Sequence, residues 1–131
     1  MKYHIKMTQD MGRGLYPIRN LYKGEIVSIC EILVLSENDT VNVNKTDLQY
    51  YTFKYNETQD CLVLGDGEIF NHADDSNVSY ELVSHSENGQ DRMRMIFVAK
   101  RDIGVSEQLM INYQDDTQVD SSKYIAQKSL I

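Results

Sequence analysis

Short strand-like segments separated by turn-forming residues recur along the whole chain, and no segment sustains an apolar repeat of 3.6 residues. Alternation with period two is typical of strands that bury one face. The predicted strands are residues 3–7, 26–35, 48–55, 61–64, 78–83 and 92–100. Between them, the polar stretches 36–46 and 84–91 are predicted to be a surface connection and a hairpin loop. The pattern therefore predicts a mostly β fold.

The size and composition of the chain fit one globular domain. Its 131 residues, 41% hydrophobic and 25% charged, suffice for a modest core. The longest apolar stretch, residues 26–35, is interrupted by Ser28 and Glu31 and is shorter than the ~18 residues that a membrane span needs. Residues 1–10 are polar and lack the apolar segment of a signal peptide. We therefore expect no membrane association and an intracellular location.

The net charge of −7 bears on the choice of partner. Nucleic acid requires a basic face that releases counterions from phosphates, so no direct nucleic-acid partner is expected. A basic protein or peptide is the more natural partner, although an acidic balance can also serve solubility alone. Cys30 and Cys61 lie in apolar runs and are predicted to be buried thiols in a reducing compartment. With so few histidines nearby, they predict no metal site.

Three motifs carry the functional prediction. The first is the turn Gly12-Arg13-Gly14, whose glycines would let the backbone pass close to a ligand, although a plain hairpin turn would look the same. The second is the stretch 67–77, GEIFNHADDSN, in which the donors and acceptors of Asn71 and His72 follow an apolar pair. The third is the run 109–113, LMINY. Each is weak alone, and their order carries the signal.

In order and spacing, these motifs resemble the signature of the SET-domain protein lysine methyltransferases. The resemblance implies a SET domain at residues 1–116, followed by a C-terminal tail at 117–131. It refines the fold to several small curved sheets, with the C-terminal segment threaded beneath a loop so that Asn71, His72 and Tyr113 meet. The implied activity is methyl transfer from S-adenosyl-L-methionine to the side-chain amine of a lysine in a protein substrate, with histone tails among the candidates.

The resemblance also implies which residues hold the cofactor. The turn of Gly12, Arg13 and Gly14 would lie along S-adenosyl-L-methionine. The side chain of Asn71 would contact its methionine part, and the backbone of His72 its adenine. Tyr113 would contact the cofactor as well.

A second set of residues would handle the target lysine. The resemblance places the hydroxyl of Tyr113 beside the transferring methyl group, as the catalytic residue. Tyr51 and Phe70 would join Tyr113 in a narrow aromatic channel. Such a channel favours the neutral amine over the ammonium ion. Lysine has an ordinary pKa of roughly 10.4, so it must lose a proton before its amine can attack. Neither a metal nor a covalent nucleophile would be required.

Several positions depart from the family pattern. Ser76 replaces a proline, the usual Gly-Glu-Glu falls on residues 106–108, and Gln114 replaces the glycine after the catalytic tyrosine. No cysteine-rich zinc module follows, and Thr117 stands where compact relatives carry another channel aromatic. Tyr124 or a second protomer could complete the channel, so a homodimer is expected.

Two other classes of function fit the same residues. A SET-like fold that has lost catalysis would serve as a peptide-binding or interaction module and would keep the hydrophobic pattern. A β-rich carbohydrate-binding or structural module would use the GRG and NHADD segments merely as turns. Binding of S-adenosyl-L-methionine, measured by calorimetry, separates these possibilities, because only a SET domain with an intact pocket predicts it.

Overall fold

The structure of the protein, a computed structural model, describes residues 2–113. In chain order the elements are β1 (Tyr3–Met7), β2 (Arg13–Pro17), β3 (Ile26–Val34), α1 (Glu37–Val43), a 3-10 helix (Asp47–Tyr51), β4 (Thr52–Lys54), β5 (Asp60–Val63), a second 3-10 helix (Gly65–Ile69), β6 (Asn71–His72), β7 (Val78–Glu87), β8 (Gln90–Ala99) and β9 (Met110–Ile111). Strands predominate, so the mostly β prediction is confirmed. Within residues 2–113, no helix has the length and apolar character that crossing a membrane requires. The predictions for Gln114, Thr117, Tyr124 and the tail at 117–131 lie outside the described residues.

A five-stranded antiparallel sheet, in the order β4-β5-β3-β8-β7, forms the centre of the fold. Its long strand β3 joins two halves, because Cys30 pairs with Met95 of β8 while Ile32 pairs with Val63 of β5. Two small sheets, β1-β2 and β6-β9, accompany it. The expectation of several small sheets is therefore confirmed.

The main hydrophobic core forms where the central sheet meets the two small ones. Met95 and Phe97 of β8 pack in one buried cluster with Leu15 of β2, Ile111 of β9 and Phe70, which directly precedes β6. The rings of Phe70 and Phe97 stack with their centroids 4.4 Å apart. Burial of this apolar surface, the dominant favourable term in folding, holds β6 and β9 against the sheet.

Both cysteines are free thiols and are buried, which confirms the prediction of their packing role. Cys61 has no exposed surface, and this burial is the main reason that the pKa of its thiol is raised to about 12. The neighbouring carboxylates of Asp60 and Glu68 raise that pKa further. The thiol is therefore protonated at neutral pH and acts as a small apolar side chain.

The stretch 36–46 is mostly exposed, as predicted for a surface connection, but it contains a helix that was not predicted. Helix α1 begins after Ser36, whose hydroxyl oxygen accepts a hydrogen bond from the Asp39 N–H at 3.0 Å. Only Thr40 is buried, and its hydroxyl oxygen accepts from the Asp60 N–H. A seven-residue helix anchored by one polar residue has no apolar stripe, so periodicity could not reveal it.

The predicted strand 48–55 is also corrected. Its first part is the 3-10 helix Asp47–Tyr51, capped by the Thr46 hydroxyl, and only Thr52–Lys54 forms a strand. The aromatic alternation that suggested one long strand therefore places Tyr50 and Tyr51 on an exposed helical turn. The Thr46 hydroxyl accepts a hydrogen bond from the Leu48 N–H, and this local cap outweighs the strand preference of the aromatic residues.

The hairpin loop predicted at 84–91 is much shorter in the structure. Strand β7 runs to Glu87 and β8 starts at Gln90, and these two residues pair with each other. Asn88 and Gly89, with φ of 55° and 78°, make the two-residue turn between them. Asn-Gly is the strongest sequence signal for such a turn. The loop was predicted too long because the strand residues on both sides of Asn-Gly are polar.

Candidate functional site

The Asn-His motif and the LMINY run are brought together by a short parallel ladder. Asn71 pairs with Met110 and His72 with Ile111, and the Ala73 N–H donates to the Ile111 carbonyl at 3.0 Å. Ile111 is fully buried in the main core, which fixes β9 in place. The predicted meeting of the two motifs is thereby confirmed.

Asn77, which closes the second motif, clamps the segment that enters β9. Its side chain is almost fully buried, donates from Nδ2 to the Gln108 carbonyl at 2.9 Å and accepts at Oδ1 from the Met110 N–H at 2.9 Å. The neighbouring residue, Ser76, replaces the proline of the family pattern. Its hydroxyl accepts a hydrogen bond from the Lys100 ammonium at 3.2 Å. A serine therefore has a specific polar partner at this position.

The GRG turn contacts the Asn71 side chain directly, and Gln108 packs against both. The Asn71 Nδ2 donates both to the Arg13 carbonyl at 2.8 Å and to Gln108 Oε1 at 2.7 Å. A Cβ on Gly14 would lie 2.5 Å from Gln108 Oε1 and 2.7 Å from Thr8 Cγ2, so any other residue would displace these two side chains. Gln108, one of the departures from the family pattern, thus links the first motif to the second.

Glu107, beside it, closes the turn before β9. Its Oε2 accepts from the Gly104 N–H at 2.7 Å, and its Oε1 forms an ion pair with Arg101 at 2.9 Å. The Gly104 N–H, followed by the Arg101 guanidinium, lowers the pKa of this carboxyl. The altered sequence at 106–108 therefore still makes a well-bonded turn.

Two hydrogen bonds orient Tyr113, and a third fixes the backbone before it. Its hydroxyl donates to the Phe70 carbonyl at 2.6 Å, and its N–H donates to His72 Nδ1 at 2.9 Å. In the neutral imidazole the remaining proton is on Nε2, which donates to Asp74 Oδ1 at 2.8 Å. The Tyr80 hydroxyl donates to the Asn112 carbonyl at 3.1 Å, which fixes the backbone just before Tyr113.

The aromatics assigned to the lysine channel lie in different surroundings. Tyr51 and Tyr113 are each 52% exposed, whereas the Phe70 ring is 1% exposed and stacked on Phe97. The carbonyl of Phe70, rather than its ring, contacts Tyr113. The channel role of Tyr51 and Phe70 stays a prediction. The cofactor contact of Gly12 also stays a prediction, and its carbonyl accepts hydrogen bonds from the Thr8 N–H and hydroxyl.

Glu68 lies beside this site and was not anticipated from the sequence. It is half-buried, and its Oε1 accepts from the Val63 N–H at 2.9 Å. Burial raises the pKa of its carboxyl to about 7, with the Val63 N–H opposing that rise. Burial also raises the pKa of the Tyr113 phenol, followed by the charges of Glu68 and Tyr51. The only sequence signal was an acidic residue next to the apolar pair before Asn71.

A surface cavity of about 250 Å³ lies elsewhere, lined by Asn20, Leu21, Tyr22, Asp102, Ile103 and Gly104. Two of these residues, Leu21 and Ile103, are buried and pair through their main chains. None of the predicted site residues lines it, and its lining offers only one ionisable carboxyl, Asp102, which already accepts from the Lys23 N–H. The site is therefore defined by the convergence of Arg13, Asn71 and Tyr113 and not by this cavity.

Comparison with known proteins identifies the fold and its relatives. The SET domain family model matches residues 12–114. The Schizosaccharomyces pombe protein "Histone-lysine N-methyltransferase, H3 lysine-37 specific" is 27% identical over 112 residues, which are 85% of this chain and 72% of the relative. A Plasmodium falciparum crystal structure, of a candidate histone methyltransferase, has a TM-score of 0.69 and 24% identity, and the match covers 88% of this chain and 100% of that one. The SET8 protein of Cryptosporidium has a TM-score of 0.68 and 21% identity over 89% of this chain, which spans 59% of that protein.

Proposed function

This chain belongs to the SET-domain family, and from that membership we propose that it transfers a methyl group from S-adenosyl-L-methionine to the side-chain amine of a lysine in a protein substrate. The observation that carries the proposal is the convergence of the GRG backbone, the Asn71 amide and the Tyr113 hydroxyl. A carbohydrate-binding or structural module would leave these segments as separate turns. The named S. pombe relative supports a histone as the substrate class.

The polar groups of the site fit S-adenosyl-L-methionine. Both N–H groups of the Asn71 amide are used within the protein, so this side chain offers its oxygen, which suits an ammonium group. Asn71 and His72 are only partly buried, so a ligand can reach them. Arg13, Asn71, His72 and Tyr113 would hold the cofactor. When bound, it supplies an electrophilic methyl group on a positively charged sulfur.

Tyr113 would align the target amine. Because its hydroxyl proton is directed to the Phe70 carbonyl, the oxygen presents its lone pairs to the other side. Its raised pKa keeps the phenol neutral at physiological pH. A neutral oxygen held at this point can orient an amine or a developing positive charge without binding it too tightly.

The proposal is tested by two measurements on the full chain. Calorimetric titration with S-adenosyl-L-methionine should show one site, and recombinant histone H3 should gain methyl groups that mass spectrometry assigns to lysine. Absence of cofactor binding would refute the proposal. Binding without transfer to any core histone would instead favour the catalytically inactive interaction module.

We expect Asn71→Ala to weaken S-adenosyl-L-methionine binding about 10- to 100-fold, because a hydrogen bond to a charged group and the link to Arg13 are lost together. Calorimetry measures the change directly. Asn38→Ala, an exposed position of α1, serves as the matched control and should bind like the parent. Equal affinity in Asn71→Ala would place the cofactor site elsewhere.

Other predictions from the sequence carry over as proposals. With a net charge of −7, the protein would favour lysines in basic, extended peptides. The exposed Asp74 carboxylate beside His72 adds negative charge next to the site. A homodimer that completes the lysine channel and a reducing intracellular location likewise stay predictions.

A further inference from the structure

Glu68 lies next to the segments that carry the three residues of the proposed lysine channel. It lies two residues before Phe70, whose carbonyl receives the Tyr113 hydroxyl. Its carboxylate is anchored on the N–H of Val63, at the end of β5. The neighbouring residue of β5 pairs with the first residue of β4, which Tyr51 directly precedes. The segment that carries Tyr51 therefore lies beside the strand that holds the Glu68 carboxylate. The charge of Glu68 also acts on the Tyr113 phenol.

Within residues 2–113, the groups on which the charge of this carboxylate acts are uncharged at neutral pH. They are the phenol of Tyr113 and the thiols of Cys30 and Cys61, whose pKa values it raises. Among residues 2–113, no lysine, arginine or histidine forms an ion pair with Glu68. A half-buried carboxylate without a cation is costly. That cost is removed when a cationic ligand arrives from outside the protein.

We propose that the Glu68 carboxylate receives the ammonium group of the target lysine as it enters between Tyr51 and Tyr113, and accepts one of its protons. The inference rests on the proposed function. In this step one N–H bond of the ammonium breaks, an O–H bond forms on Glu68, and the electron pair stays on nitrogen as the lone pair of a neutral amine. The proton returns to solvent before the next substrate binds.

The environment of Glu68 suits this role. Burial raises the pKa of its carboxyl to about 7, so the group is a much stronger base than an ordinary carboxylate while still being charged above neutrality. The half-exposed rings of Tyr51 and Tyr113 give the ammonium access from solvent. The Val63 N–H holds one carboxylate oxygen, which leaves the other to meet the ligand.

The first test uses a probe that requires no methyl transfer. n-Butylammonium imitates the end of a lysine side chain, and n-butanol is its neutral counterpart. We expect NMR titration at pH 8, followed on the Tyr113 and Tyr51 rings, to show about tenfold tighter binding of n-butylammonium than of n-butanol. Glu68→Gln, which keeps the acceptor for the Val63 N–H, should lose that preference. Glu57→Gln removes the same charge from an exposed turn and should keep it. Equal binding of the two probes by the parent, or an unchanged preference in Glu68→Gln, would overturn the proposal.

The second test separates this inference from the proposed function. With histone H3 as substrate, the rate of methyl transfer by the parent should level off above about pH 7, where Glu68 is ionised. Glu68→Gln should be on the order of 10²-fold slower at pH 7.5. Its rate should keep rising with pH until the lysine itself loses its proton near pH ~10. A parallel pH profile in the two proteins would refute the role of Glu68 while leaving methyl transfer established. An inactive parent would refute the proposed function, and the n-butylammonium result would still decide whether Glu68 binds the cation.

Discussion

Replacing Tyr113 by phenylalanine is expected to lower the rate of methyl transfer ~10²–10³-fold, the usual effect of removing one group that acts mainly in the transition state. The ring contacts and the bond from the Tyr113 N–H to His72 survive, because neither involves the hydroxyl. Affinity for S-adenosyl-L-methionine should therefore stay close to that of the parent. Single-turnover transfer to histone H3, measured beside calorimetric affinity, separates the two quantities.

The same substitution removes the hydrogen bond from the Tyr113 hydroxyl to the Phe70 carbonyl, so a stability loss of about 1 kcal/mol is expected in addition. Tyr22→Phe, at an exposed tyrosine that lines the separate surface cavity, is the control and should leave the rate unchanged. If Tyr113→Phe were as active as the parent, the hydroxyl would have no part in the mechanism.

Asn77→Ala is expected to lower the free energy of unfolding by about 2–6 kcal/mol. The substitution leaves two main-chain groups, the Met110 N–H and the Gln108 carbonyl, without their buried partner, at about 1–3 kcal/mol each. This is a large share of the ~5–15 kcal/mol that stabilises a typical domain. Because Met110 pairs with Asn71, affinity for S-adenosyl-L-methionine should fall together with stability.

Urea unfolding followed by circular dichroism measures this loss. Asn77→Asp keeps an oxygen for the Met110 N–H and loses the donor to Gln108, so an intermediate value is expected. Asn38→Ala, on the exposed side of α1, should stay within about 0.5 kcal/mol of the parent. A loss below 1 kcal/mol in Asn77→Ala would show that other contacts hold β9.

The sequence predicted strands from apolar alternation and from apolar runs. Residues 3–7, which alternate, and the start of β3 at Ile26, which opens an apolar run, match the structure. Helix α1 and the 3-10 helix before β4 escaped prediction, since both depend on single capping hydroxyls, those of Ser36 and Thr46. A local hydrogen bond leaves no periodic trace in a sequence.

The site was predicted only as far as the family motifs reach. Asn71, His72 and Tyr113 were named because they belong to recognisable segments, and the structure brings them together. Glu68 was missed because nothing in the sequence shows that its carboxyl is half-buried. Tyr80 was missed because its hydroxyl reaches the site through the Asn112 carbonyl, 32 residues away. No pattern within one segment encodes such long-range contacts.

The β6-β9 ladder has a consequence for the order of folding. It joins segments that lie about 40 residues apart, as in the bond between Tyr113 and Phe70 at a separation of 43. Closing so long a loop is entropically unfavourable until the β7-β8 hairpin, with its two-residue turn, has brought its ends together. The ladder should therefore form last and open first, and the Met110 amide should exchange with deuterium sooner than the amides in the middle of β8. Unfolding would then begin at the site, so a bound ligand would slow the opening of the whole domain.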